Sequence, residues 1–219
     1  MTAPTFSPVP AAMAAPDADL LPGTASAVLD QIAQRMRSRG IEAIVVDTAD
    51  AARDLVISMV PEGAEIHSGK SKTIEDLGLF AHFMESGRFD AIRPKLYAMD
   101  RATQGREMRK LGAAPDYELG SVAAVTEDGA LVAASASGNQ VGAYAGGAGK
   151  VILVVGSQKV VPDLETAIGR IREVAVPYED ARLMAQLGRH TQLAKLLVIF
   201  EEMIPNRTTV ILVREPIGV

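Results

Sequence analysis

Short apolar runs alternate with segments of helical periodicity along most of this chain, and this alternation constrains its fold more than any other feature. The clearest apolar runs are IEAIVV (41–46), AEIHS (64–68), KVILVVG (150–156) and TTVILV (208–213). Between them apolar residues recur at helical spacing, as in the stretch from Ala25 to Met36 that precedes Gly40. Strands that alternate with helices form mostly parallel sheets with helices on both faces. The sequence therefore predicts an α/β fold with a mostly parallel sheet.

Local start and stop signals predict the remaining elements. Asp128-Gly129 lies between two β-rich runs and predicts a hairpin of residues 121–126 and 130–135. Thr73, followed three residues later by Asp76, predicts a capping box for a helix that ends near Gly87. The other predictions are a helix that stops before Pro61, a strand around Leu96, a helix over 103–111, a helix opened by Pro162-Asp163, and two further helical stretches before the last strand.

The composition excludes several classes of protein. The 219 residues include no cysteine, which rules out disulfides, thiolate catalysis, cysteine-bound zinc and an iron–sulfur cluster held by this chain. The three histidines lack metal-binding spacing, so we predict no metal site and no bound cofactor. The net charge of −5 argues against a nucleic-acid partner, and no apolar run is long enough for a membrane helix.

The N-terminal residues differ in composition from the rest of the chain. Residues 1–23 are rich in alanine and proline, and they lack the basic start and the apolar core of a secretory signal. We expect a disordered tail over 1–23, followed by a single domain over 24–219, in a cytoplasmic protein.

The segment GAEIHSGKSKT (63–73) is similar to a nucleotide-binding P-loop but has the wrong spacing. Five residues lie between Gly63 and Gly69, whereas a P-loop has four, and here they are predicted to form a strand. The loop of Gly69, Lys70, Ser71, Lys72 and Thr73 nevertheless follows a strand and precedes a helix, where α/β proteins bind ligands. Its N–H groups, lysines and hydroxyls suit a carboxylate or a phosphate. An ordinary helix cap explains the same residues equally well.

Two further stretches contain candidate functional residues. The turn at Asp128-Gly129 explains Asp128 but leaves open a role for Glu127 as an acid, a base or a nucleophile. Gly138 and Asn139 begin a glycine-rich stretch over 137–150 that would let the backbone approach a ligand closely. A flexible surface loop explains these glycines equally well.

Four blocks of the sequence together resemble the LUD domain, the lactate-utilisation protein family. They are SGKSKTIEDLGL (68–79), VTEDGALV (125–132), SGNQ (137–140) and KVILVVGSQKVVPDLETAIGRI (150–171). The resemblance implies a three-layer α/β/α fold similar to the ribose-phosphate isomerase and CoA-transferase superfamily. It also implies that the loop 69–73 holds a phosphate or acyl-thioester group, and that Glu127 and Gly138-Asn139 occupy family positions.

The resemblance leaves three functions open. The first is a lactate-utilisation component that binds a small anionic organic acid or its activated derivative, with Lys70 or Lys72 neutralising the anion and Glu127 as the catalytic residue. The second is a non-catalytic assembly or regulatory subunit for iron–sulfur oxidoreductase partners. The third is an acyl-CoA transferase-like or phosphosugar enzyme, which ranks last because residues 119–124 lack the acidic cluster of the sugar-phosphate isomerases. Residues 181–197 lack the cysteines of cluster-binding relatives. Catalytic turnover and a homo-oligomeric state both stay open.

Overall fold

Residues 26–69 and 71–219 are described by a computed structural model of the chain. The tail expected over 1–23 and the residue Lys70 lie outside these described residues. The strands are β1 (Glu42–Val46), β2 (Glu65–Ser68), β3 (Asp90–Ala91), β4 (Tyr117–Gly120), β5 (Ala124–Thr126), β6 (Leu131–Ser135), β7 (Lys150–Gly156), β8 (Val160–Val161), β9 (Lys195–Ile199) and β10 (Thr208–Val213).

A six-stranded sheet in the order β1-β10-β7-β4-β2-β3 forms the centre of the fold, and every neighbouring pair in it is parallel. The two most apolar strands pair in its interior, with Val154 of β7 opposite Ile211 of β10. All of β10, and all of β7 beyond Lys150, is buried. Interior strands of a parallel sheet are covered on both faces, so nearly every position must be apolar. The predicted α/β fold with a mostly parallel sheet is confirmed.

Helices lie between the strands in the chain. They are α1 (Ser26–Arg37), α2 (Ala49–Met59), α3 (Lys72–Asp76), α4 (Leu79–Met84), α5 (Ile92–Ala98), α6 (Gly105–Ala113), α7 (Leu164–Arg170) and α8 (Val176–Leu187). A π-helical segment, Ile171–Ala175, joins α7 to α8. Asp163 caps α7 by accepting a hydrogen bond from the N–H of Thr166 (2.8 Å), as its position after Pro162 predicts.

The two faces of the central sheet bury separate apolar cores. On one face, residues of α2, α3 and α4 such as Val56, Ile74 and Phe83 pack against Ile152 and Val154. On the other face, α1 and the second sheet supply residues that pack with Val151, Leu153 and Val155. Alternate residues of β7 therefore point to opposite cores, as the pleat of a strand requires. Among the described residues, none of the helices is long and apolar enough to cross a membrane.

A second, four-stranded sheet has the order β8-β5-β6-β9. The predicted hairpin is present in it, because β5 and β6 are antiparallel neighbours. The sequence predicts no strand between its last helical stretches and β10, so β9 is an element that it did not indicate. Gly188 adopts a left-handed conformation (φ 62°) that ends α8, and Leu197 then pairs with Ala133 of β6. This long-range pairing places residues 195–199 in a strand.

The strand expected around Leu96 is also wrong, because Leu96 lies in α5. The strand at this place is β3, only two residues long, which pairs with Glu65 and Ile66 of β2. Pro94 lies in the first turn of α5, where a missing N–H breaks no helical hydrogen bond. Ile92 anchors the helix in the core.

Candidate functional site

Three neighbouring strands of the central sheet end at one edge, and the loops that follow them carry the polar residues of the candidate site. β2 ends at Ser68, β4 at Gly120 and β7 at Gly156. The strands are parallel and adjacent in the order β7-β4-β2, so their carboxyl ends meet. In open α/β sheets this is the edge where ligands bind. We call the group of Ser71, Thr73, Ser121 and Lys159 at this edge the strand-end corner.

Lys159 lies at the centre of the strand-end corner. It ends the 3-10 turn Ser157–Lys159 directly after β7, and only 3% of its surface is exposed. Its Nζ donates hydrogen bonds to Thr73 Oγ1 (2.8 Å), to Ser121 Oγ (3.0 Å) and to the Val122 carbonyl oxygen (3.3 Å). An ammonium group has three N–H donors, so these acceptors match a protonated lysine.

The charge of Lys159 is not balanced by a contacting carboxylate in the described part of the chain, because its hydrogen-bond acceptors are two hydroxyls and a carbonyl. Burial, the largest effect, and repulsion from Arg170 lower the pKa of Lys159 from 10.5 to about 7, against a weaker opposing attraction to Asp76. Arg170 is also buried, and burial lowers its pKa to about 10. It donates a hydrogen bond to the Ala123 carbonyl oxygen (2.6 Å). Two buried cations with neutral acceptors create a positive potential that attracts an anion.

Ser71, not Thr73, is the N-cap of α3, so the predicted capping box is wrong. The Thr73 side chain is fully buried, and its hydroxyl accepts a hydrogen bond from Lys159. The helix also ends earlier than predicted, at Asp76, because Gly78 adopts a left-handed conformation (φ 66°) before α4 begins. Thr73 therefore lies in the first turn of α3, where its hydroxyl holds Lys159.

Of the two lysines expected to neutralise an anion, only Lys72 belongs to the described residues. Lys72 forms an ion pair with Asp76, four residues further along α3, which offsets its charge. Lys70 lies outside the described residues. Within the described part of the chain, the cation of the strand-end corner is Lys159.

Gly69 lies next to the glycine-rich stretch through Gln140. A Cβ added at Gly69 would lie 3.5 Å from Gln140 Oε1. Gly138 itself has a φ of 85°, and its N–H donates to Ser135 Oγ (2.8 Å). Asn139 is exposed and accepts a hydrogen bond from the Ser137 hydroxyl (3.1 Å). The two predicted loops thus approach each other, with Gln140 as the residue between them.

Glu127 lies in the turn between β5 and β6, and it is exposed. Its N–H donates to the Val161 carbonyl oxygen (2.8 Å), and its own carbonyl oxygen accepts from Arg35. Val122, which accepts from Lys159, precedes β5, whereas Glu127 follows it. The two residues therefore lie at opposite ends of β5. The catalytic role of Glu127 stays a prediction.

The residues Ile217 and Gly218 cover one side of the strand-end corner. Gln158 holds them, since its Nε2 donates to the Ile217 carbonyl oxygen (2.7 Å) and its Oε1 accepts from the Ile217 N–H (3.2 Å). Gly218 has a φ of 75°, and an added Cβ would overlap Thr73 Oγ1. This close approach requires glycine. The other two members of the strand-end corner, Ser71 and Ser121, are half-buried.

Sequence reasoning missed Lys159 and Ser121. A signal for Lys159 exists, because this lysine lies between the most apolar strand of the chain and the apolar pair Val160-Val161. Lysine is almost never fully buried unless it is paired, so a lysine enclosed by core residues at a strand end indicates a special environment. Ser121 has no comparable signal, because its role depends on its position opposite Lys159.

The fold and the corner define an α/β protein with a polar site at the carboxyl ends of a parallel sheet. The family model described as the LUD domain matches residues 29–213, and the chain belongs to the LUD domain family. It is thus, in general terms, a lactate-utilisation-type protein. Among solved structures it is similar to the crystal structure of a DUF162 family protein from Deinococcus radiodurans, with 13% identity, a TM-score of 0.48, and coverage of 86% of this chain and 97% of that chain. No curated protein matches it.

Proposed function

We propose that the protein binds a small anionic organic acid, or its activated derivative, in the strand-end corner. The observation that carries this proposal is Lys159, a buried cation that contacts three neutral oxygens and no carboxylate among the described residues. Burying a charge is unfavourable unless an opposite charge compensates it. A ligand carboxylate or phosphate would supply that charge.

The bound anion would replace one of the neutral acceptors of Lys159. The ammonium then forms a charge-assisted hydrogen bond, which is shorter and roughly twice as strong as a neutral one. The half-buried Ser71 and Ser121 offer hydroxyl donors, although Ser121 now donates to the Val154 carbonyl oxygen (2.7 Å). An anion beside Lys159 also raises the pKa of the amine, so binding near neutral pH would take up a proton.

A thermal-shift screen with lactate, pyruvate, CoA esters and sugar phosphates tests this proposal. We expect at least one of these anions to raise the melting temperature of the native chain. The variant Lys159→Met should lose that shift, whereas Lys110→Met, which replaces an exposed lysine of α6, should keep it. An absence of any shift, or an equal shift in both variants, would refute the proposal.

A catalytic step at Glu127 is a separate part of the proposal. In an acyl-CoA transferase-like reaction, the Glu127 carboxylate would attack the thioester carbonyl and form a mixed anhydride as the CoA thiolate leaves. The thiolate would then attack the Glu127 carbonyl carbon, which releases the carboxylic acid and leaves a Glu127–CoA thioester. Incubation with an acyl-CoA followed by hydroxylamine should then convert Glu127 to a hydroxamate, which mass spectrometry detects. Glu127→Gln should abolish the label, and an unlabelled native chain would remove Glu127 from the mechanism.

A second candidate function is a subunit that docks on iron–sulfur oxidoreductase partners. The observation in its favour is a group of exposed apolar side chains on and after the edge strand β9, with Met203 at 84% exposure, Ile204 at 54% and Phe200 at 50%. Large apolar patches on a surface mark interaction sites. Iron–sulfur proteins should co-purify with the native chain from its host, and they should not co-purify with the Met203→Glu variant. Purification of the native chain alone would contradict this function.

A further inference from the structure

A buried histidine–carboxylate pair connects two strands of the central sheet near the strand-end corner. His67 of β2 lies opposite Glu118 of β4 in the register of these parallel strands. His67 Nδ1 and Glu118 Oε2 are 2.7 Å apart, and the side chains are only 3% and 0% exposed. Ile66 and Leu119, their neighbours in sequence, pack into the opposite core.

One oxygen of this pair has no partner among the described residues. Glu118 Oε1 is buried and accepts no hydrogen bond from them, and burial raises the pKa of the carboxyl despite the opposing hydrogen bond from His67. The Tyr144 hydroxyl, whose pKa is itself raised by burial and by Glu118, donates to the Ser121 carbonyl oxygen (3.3 Å) instead. A buried polar group without a partner is destabilising. An apolar pair at these positions would serve stability better, so the pair points to a functional role.

The contact with Glu118 decides which atom of His67 is available. Because Nδ1 bonds to Glu118, the remaining polar atom of the ring is Nε2, which forms no hydrogen bond in the described part of the chain. A carboxylate on one ring nitrogen fixes the orientation and the tautomer of a histidine, so that the other nitrogen can act on a ligand. Glu118 therefore orients the ring of His67 through Nδ1 and leaves Nε2 without a partner among the described residues.

Both members of the pair belong to the strands that lead into the strand-end corner. His67 is followed by Ser68 and Gly69, and Glu118 is followed by Gly120 and Ser121. Gly69 has no side chain, and Gln140 approaches it from the glycine-rich stretch. Arg93, whose charge also acts on Glu118, donates to the Ser68 carbonyl oxygen (2.7 Å) at the same strand end. A ligand that reaches over Gly69 from the corner thus approaches the face of the sheet that carries His67.

We propose that His67 Nε2 forms a hydrogen bond with a hydroxyl or carbonyl oxygen of the bound acid, with Glu118 as the positioning residue. This proposal rests on the proposed function, because the acid is the same ligand. With a neutral imidazole and an ionised Glu118, Nε2 accepts a hydrogen bond from a hydroxyl group. When the pair holds one more proton, Nε2–H donates to a carbonyl oxygen. His67 would then select acids that carry such an oxygen over acids that lack it.

Calorimetric titration with matched ligands tests the proposal. The pairs are lactate with propionate, and lactyl-CoA with propionyl-CoA, since the members of each pair differ only in one hydroxyl group. We expect the native chain to bind the hydroxylated member at least about tenfold more tightly, the effect of one hydrogen bond to a polar group. In His67→Gln the affinity for the hydroxylated member should fall toward that for its partner. His190→Ala, at a histidine whose side chain is 76% exposed, should keep the preference.

The outcomes separate this proposal from the one on which it rests. Equal affinity for both members of a pair in the native chain would overturn the role of His67 and leave the anion site intact. Failure of all four compounds to bind would overturn the role of His67, and it would overturn the anion site as well if the thermal-shift screen also shows no shift. If His67→Gln does not fold, Glu118→Gln provides the second test, because it keeps the shape of the side chain. We expect it to reduce the preference at least threefold, and an unchanged preference would refute the positioning role.

Discussion

Replacing Lys159 by methionine should change how the free energy of unfolding depends on pH. Methionine keeps an unbranched side chain in the buried space but removes the amine, and with it the three hydrogen bonds to Thr73, Ser121 and Val122. Since both proteins share every other ionisable group, the difference between their unfolding free energies isolates the titration of Lys159.

The magnitude follows from the pKa of Lys159, which burial lowers from 10.5 to about 7. Between these values the folded state binds fewer protons than the unfolded state, so the stability of the native chain rises with pH. Below about pH 7 both states are protonated, and the full destabilisation by the buried charge, at most about 5 kcal/mol, is present. Between about pH 7 and about pH 9 the native chain should gain about 2 kcal/mol relative to Lys159→Met.

Urea unfolding followed by circular dichroism at several pH values in this window measures both proteins. We expect the unfolding free energy of the native chain minus that of Lys159→Met to rise with pH across this window. Parallel plots would refute it, because they would show that Lys159 titrates alike in the folded and unfolded chains.

Three other substitutions test the packing around the site. Gly120→Ala should destabilise the chain by about 1–3 kcal/mol, because the added Cβ would overlap the Tyr144 hydroxyl. Adding Tyr144→Phe removes that hydroxyl, so the double variant should regain part of the lost stability, as thermal unfolding would measure. Leu153→Ala, at a fully buried position of β7, should lower the free energy of unfolding by about 2–5 kcal/mol in urea titrations, and a smaller loss would contradict its place in the core. Lys72→Ala removes only a partly exposed ion pair with Asp76, so a change above about 1 kcal/mol would be unexpected.

The parts of the fold that the sequence predicts depend on local patterns. β7 and β10 are continuous apolar runs, and only a strand covered on both faces requires such a run. The strand β9 was not predictable in this way, because Leu197 is in a strand through its pairing with Ala133 on the distant β6. At Leu96 the sequence predicts a strand, but the residue lies in α5. A short apolar segment fits either structure.

The position of the candidate site was predictable, but its central residues were not. The rule that ligands bind at the carboxyl ends of parallel strands identifies the loop that contains Thr73. It does not identify Lys159, which reaches Thr73 from a different loop, 86 residues further along the chain. The pairing of His67 with Glu118 depends on the register of two strands that are 51 residues apart in sequence. A single sequence contains no local signal for such contacts.

The affinity of the tightest-binding acid as a function of pH tests the central claim most directly. If the anion binds to protonated Lys159, calorimetry should show proton uptake near neutral pH, because the pKa of the free amine is about 7. The affinity should then fall by roughly tenfold for each pH unit above about pH 7, up to the pKa of the amine in the complex, and Lys159→Met should abolish binding. An affinity that is constant from about pH 6 to about pH 9 and unchanged in Lys159→Met would contradict the account.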